Sequence, residues 1–174
     1  MNDPFAKRIE QQWNIFDNIP RIEIITTIWT NEIIDPLAVF MAFPFNVDTP
    51  ELFYDSMGIT VQSGVDQMPN TCGEYQTLQH GVSVKGSNIS LAVSTLDCPI
   101  CTFDTLSKRG TKRKPFKPQN ANFFNLICEN YWITNFSILN PSKLTVRQVI
   151  DIGKAGDRIE PLHGDEIWAY PSKS

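Results

Sequence analysis

The sequence predicts an all-β chain, an antiparallel β-sandwich with few or no helices, and three observations predict it. Short runs rich in Val, Ile, Thr, Phe and Trp recur from residue 21 to residue 152, and these residue types pack well on a pleated surface. Turn residues separate the runs, with no helix-length segment alternating between them, so the pattern of a parallel sheet is absent. The chain has 174 residues, 41% hydrophobic and 20% charged, enough for one domain with its own core and unlike a disordered segment.

Residues 5–16 admit two readings. Phe5, Ile9, Trp13 and Phe16 fall at helical spacing, but the segment is short and equally suits an extended strand. Residues 1–20 are therefore a linker or an extra strand or helix, and 21–174 form the sandwich. RIEIITTIW (21–29) is dense in β-branched residues and reads as a strand. LAVFMAFPF (37–45) is a second, with Pro44 marking an edge or an end because proline has no N–H for a ladder. ITVQ (59–62) is short, and a turn-rich loop with Gly64, Pro69 and Asn70 follows. YQTLQHGVSVKG (75–86) alternates as one strand, with Leu78, Val82 and Val84 inward. A hairpin turn over Lys85-Gly86-Ser87-Asn88 leads into ISLAVST (89–95). Residues 104–122 read as a long polar loop carrying Lys108, Arg109, Lys112, Arg113, Lys114 and Lys117. NFFNLICENYW (122–132) and LTVRQVIDI (144–152) close the series.

Composition excludes several function classes. The longest apolar stretch, 37–45, is broken by Pro44 and falls far short of the roughly 20 residues of a membrane span. MNDPFAKRIEQQW lacks the apolar segment of a signal peptide, and four cysteines in such a chain fit a reducing compartment, so the expected location is cytoplasmic. With 15 basic against 19 acidic residues the net charge is −4, which argues against a nucleic-acid partner. The basic loop has only Phe116 as an aromatic neighbour and reads as solvated charge. The expected partners include neither nucleic acid nor membrane.

Candidate chemistry is sparse. Cys98-Pro99-Ile100-Cys101 has the spacing of a zinc or dithiol pair. Two further ligands at matching spacing are missing, so small packed thiols are the simpler reading. His80 and His163 are the only histidines; with Glu74 they could serve a two-imidazole sugar mutarotation, although a hydrogen-bonded strand histidine is the simpler reading of His80. Tyr131, Trp132 and Phe136, with Thr134 and Asn135 between them, offer a platform for the apolar face of a sugar ring, or else a strand end buried in the core.

Five segments carry a resemblance. Residues 40–47, FMAFPFNV, look like the "AFPFN" strand of the C-terminal β-sandwich of glycoside hydrolase family 38, the α-mannosidases. GVDQMPNTC (64–72) resembles that family's "PG-DQ-PG-T/S-C" loop, and EYQTLQHGVSV (74–84) its "D-[WY]-Y-x-VQRWVDVS" strand. Asp97-Cys98-Pro99-Ile100 stands where "DAPL" occurs, and ENYWITNF (129–136) is similar to "NNYWxTNF". The segments follow the family's order over roughly residues 20–150. Departures are His80 and Gly81 for the Arg-Trp of "VQRW", Gln148 for a tyrosine, and Glu129 for the first Asn of "NNYW".

The resemblance implies a galactose-mutarotase-like supersandwich, of which this chain is part. It further implies that nucleophile and zinc reside on a catalytic barrel outside this chain. No catalytic and no metal-binding residue is assigned here: retaining hydrolysis needs two carboxylates about 5 Å apart, and no pair can be nominated. The implied partners are that barrel and carbohydrate, and the tentative sugar-contacting residues are Asp66, Gln67, Tyr75, Trp132, Thr134 and Asn135. The expected function is thus a non-catalytic domain of an α-mannosidase-like hydrolase. A free-standing carbohydrate-binding module is the alternative, and a small aldose mutarotase or epimerase the third.

Overall fold

In a computed structural model, residues 4–95, 97–106, 116–130 and 139–162 are described. All strand pairings are antiparallel, and they build two sheets. Strands β1 (Ala6–Ile15), β2 (Arg21–Thr30), β4 (Glu51–Ser56), β5 (Ile59–Gln62), β7 (Gly81–Lys85), β8 (Ser90–Ser94) and β11 (Lys143–Gly153) form sheet A in the order β1-β2-β11-β8-β7-β4-β5. Strands β3 (Ala38–Phe45), β6 (Gln76–Thr77), β9 (Ile100–Phe103) and β10 (Ala121–Glu129) form sheet B in the order β3-β10-β9-β6. Among the described residues there is no helix, and the all-β sandwich is the observed architecture.

The core lies between the sheets and follows from the period-2 alternation of each strand. Sheet A contributes Ile24, Leu52, Tyr54, Val82, Val84, Leu91, Val93 and Ile150; sheet B contributes Phe43, Cys101, Phe103, Ala121 and Phe123. Phe123 is fully buried and stacks on Phe43 at 4.7 Å between ring centroids, with Phe103 tilted against it at 6.4 Å. Leu78, Val82 and Val84 are buried as their alternation predicts.

Residues 5–16, open to two readings from sequence, adopt the extended one. β1 pairs with β2 from Ala6↔Thr30 to Ile15↔Ile22 and is the edge of sheet A. Pro44 sits on edge strand β3, where a missing N–H does least harm. The hairpin at 85–88 joins neighbours β7 and β8, and a Cβ on Gly86 would lie 2.1 Å from Val47 Cγ1, so the turn needs glycine there.

Residues 75–86 are not one strand. The Leu78 N–H donates to Pro99 O in sheet B at 2.7 Å, and the next N–H, of Gln79, donates to Asp55 O in sheet A at 2.9 Å. The chain changes sheets between them, splitting β6 from β7. Strands β4 and β9 stand where the sequence assigned no element. After β11 the chain returns over the outer face of sheet A: Ser83 Oγ donates to Ile159 O, and the Leu162 N–H donates to Ser94 Oγ at 2.8 Å. Small side chains on β7 and β8 leave room for this segment, which accounts for the burial of Ser83, Ala92 and Ser94 on the outer side of the sheet.

Candidate functional site

The tentative sugar-contacting residues fall into three groups. Asp66 and Gln67 share the turn that follows β5. Asp66 Oδ2 accepts the Gln62 N–H at 2.7 Å, and Gln67 Oε1 accepts the Gly64 N–H at 3.0 Å. Gln67 Nε2 donates to the Tyr54 hydroxyl at 3.4 Å, which ties the turn to the core. Burial pushes the Tyr54 phenol above its ordinary value, while the bond to Gln67 acts in the opposite direction. Both side chains thus hold turn backbone, a role common for short polar side chains in tight loops. Tyr75 precedes β6 and is exposed. The ring contact of Tyr54 with Phe103 (6.2 Å) sets β4 over β9, so β5 and β6 are the sheet edges of one flank. Asp66, Gln67 and Tyr75 lie along that flank. Trp132, Thr134 and Asn135 lie outside the described residues, as do Tyr131, Phe136 and most of the basic loop.

The most organised polar constellation is one the sequence did not single out as a pair. Asp55, at the end of β4, accepts the His80 N–H at 2.9 Å and the Gly81 N–H at 2.8 Å through Oδ1. Its Oδ2 bonds the His80 ring at Nδ1. The two side chains are 15% and 17% exposed, half-shielded from solvent at the corner where the chain changes sheets. A carboxylate on Nδ1 fixes the imidazole's orientation, so the corner is a positioned imidazole–carboxylate pair. His163, needed for a two-imidazole mechanism, lies outside the described residues, and Glu74 is buried.

Replacing Asp55 by Ala removes three hydrogen bonds and strands the buried Gly81 N–H. The expected loss is about 3 kcal/mol of unfolding free energy in urea titration. Asn at this position keeps the Oδ1 acceptor and is expected to lose about half as much. Equal stability of Asp55→Ala and wild type would contradict the corner's role.

The four cysteines are free thiols: Cys72 is exposed, Cys98 and Cys101 are buried, and Cys128 is half-buried. Burial, and secondarily the charge of Asp97, pushes the Cys98 thiol up to about 12; burial and Glu129 push Cys128 to about 11. Burial holds Cys101 far above the ordinary thiol range. Since the thiolate is the reactive species, an aromatic disulfide reagent at pH 8 is expected to titrate Cys72 quickly and the other three only on unfolding. Uniform labelling of the native protein would contradict this. The unfolded chain releases these protons near pH 9 and the folded chain only near 11 to 12. The contribution of these thiols to stability is therefore constant below pH 9 and falls as pH rises through that window.

Among the described residues no group of three or more His, Cys, Asp or Glu side chains is placed to hold a metal ion, and no helix is long and apolar enough to cross a membrane.

The most exposed large apolar strand belongs to β1. Its inward-facing residues Ile9, Trp13 and Ile15, opposite Ile28, Ile24 and Ile22 of β2, are 57%, 54% and 74% exposed. Sheet A has seven strands against four in sheet B, so its apolar inner face runs beyond its cover. Gln11 Nε2 reaches Met41 Sδ on β3 at 4.0 Å, and the isoleucines and tryptophan around it stay open. Edge strands are normally blunted by charge, proline or a covering segment; β1 carries Lys7, Arg8 and Glu10, yet its inner face leaves three large apolar side chains open, with Gln11 between Ile9 and Trp13.

No protein-family model matches this chain, and no curated protein and no solved structure shows significant similarity to it.

Proposed function

We propose that this chain is the non-catalytic β-sandwich domain of a family 38 α-mannosidase-like glycoside hydrolase, packing on a catalytic barrel and lending loops to the rim of its sugar pocket. Five segments in the family's order support the reading. In the fold the first four fall on β3, the turn after β5, the sheet-changing corner and the approach to β9; of the fifth only Glu129, the last residue of β10, and Asn130 are among the described residues. The structural observation that carries it is the uncovered apolar strip of Ile9, Trp13 and Ile15. Three large side chains that are 54–74% exposed forfeit about 1–2 kcal/mol each relative to full burial, a loss relieved when a neighbouring domain covers them.

Within this reading Asp66 and Gln67 shape a loop at the pocket rim, and Tyr75, Trp132, Thr134 and Asn135 are the sugar contacts. Nucleophile and zinc belong to the barrel, so this chain's contribution is packing and rim geometry. The test is an immunoprecipitate from the source organism, taken with antiserum against this chain and assayed on p-nitrophenyl α-mannoside. Hydrolysis by the precipitate and none by the 174-residue chain is expected. An inactive precipitate, or hydrolysis by the isolated chain, would reject the proposal.

A further inference from the structure

Two carboxamides lie fully buried between the sheets with polar atoms left over. Asn125, on the inner face of β10, donates through Nδ2 to Cys98 O at 2.7 Å and to Ile100 O at 3.0 Å. Reversing the amide would set its oxygen against two carbonyl oxygens, so its orientation is fixed by chemistry. Asn125 Oδ1 must then face elsewhere, and it has no partner. Gln148, on the inner face of β11 opposite Ile24, has no partner for either Nε2 or Oε1. Both residues have zero exposure.

The register brings the two towards one place. Val149 pairs with Ser94, so Gln148 lies beside Thr95, the next residue along β8's path. The Thr95 hydroxyl donates to Cys98 O at 3.2 Å, the same carbonyl that accepts from Asn125. Cys98 O therefore joins the sheet A side, where Gln148 stands, to the sheet B side, where Asn125 stands. The residues paired with the two amides are uncharged, Ile24 opposite Gln148 and Met41 and Cys101 opposite Asn125, and the Asp97 carboxylate next to Cys98 is exposed and already accepts the Arg147 N–H at 2.8 Å. A neutral ligand able both to donate and to accept suits this site, whereas an ion does not. Buried polar groups lacking protein partners are commonly satisfied by internal water making two to four hydrogen bonds.

We infer that a structural water is held between the sheets, accepting from Gln148 Nε2 and donating to Asn125 Oδ1, as a fixed internal site that closes the polar end of the core. Its second proton serves Gln148 Oε1 or a further water.

The test begins with wild-type protein and needs no variant: a crystal structure at about 1.2 Å, the range in which water and amide assignments rest on density. One ordered water within hydrogen-bond distance of both side chains is expected. Empty density, a water touching only one of the two, or a direct protein partner for the Gln148 amide overturns the inference. In solution, oxygen-17 relaxation dispersion counts long-lived internal waters. Gln148→Met, close in length and without donors, is expected to lower that count by one, and an unchanged count overturns the inference.

Discussion

Phe123→Ala is expected to remove about 3–5 kcal/mol of stability. Phe123 has zero exposure, stacks nearly parallel on Phe43 (10° between ring planes) and meets Phe103 at an angle of 46°. Offset-stacked and tilted aromatic pairs add to simple burial, and both partners come from sheet B, so truncation opens a void that neighbouring strands cannot close. Phe124, the next residue, is only half-buried on the other face of β10. Its replacement by Ala is expected to lose about 1 kcal/mol. Urea unfolding of the two variants checks the pair. Comparable losses would mean that Phe123 is not central to the core.

Gly81→Ala is expected to destabilise by about 4 kcal/mol or to prevent folding, although only one methyl is added. An ideal Cβ at Gly81 would lie 2.0 Å from Val93 O and 2.9 Å from Ser94 Cα. These are backbone atoms of the partner strand, locked in the β7–β8 ladder through Gly81↔Ser94 and Val82↔Val93. Relief requires parting the two central strands, and with them the N–H bond from Gly81 to Asp55. Gly58→Ala is the control. A Cβ there meets nothing within 4 Å, and only the positive φ of 80° opposes it, for an expected loss of about 1 kcal/mol. Soluble expression and thermal unfolding distinguish the two. A Gly81→Ala variant as stable as Gly58→Ala would contradict the close approach of β7 to β8.

The strands legible in the sequence are those whose residue types leave no competing reading. Arg21–Thr30 and Lys143–Gly153 are rich in β-branched residues, and Ser90–Ser94 follows directly on a hairpin turn. The fold was less legible where a tertiary choice decides. Alternation runs unbroken from Tyr75 to Gly86 because side chains keep their period while the backbone changes hydrogen-bond partners, so the switch at Leu78–Gln79 leaves no mark in hydrophobicity. At β1 the apolar spacing suits both helix and strand, and pairing with β2 settles it. β9 is masked in the sequence because Cys98 to Cys101 has the spacing of a ligand or dithiol pair, whereas Cys101 is simply an inward strand position. Of the site, the local bonds of Asp66 and Gln67 follow from ordinary turn chemistry. The Asp55–His80 pair spans 25 residues and depends on the sheet-changing corner, so no local signal could supply it.

The proposed function makes this sandwich one domain of a larger hydrolase. The most direct measurement is the size of the native polypeptide, read by immunoblot of a source-organism extract with antiserum against the chain. A band far above 19.8 kDa is expected, large enough to include a catalytic barrel. A single band at 19.8 kDa would contradict the claim and turn attention to glycan binding by the chain alone.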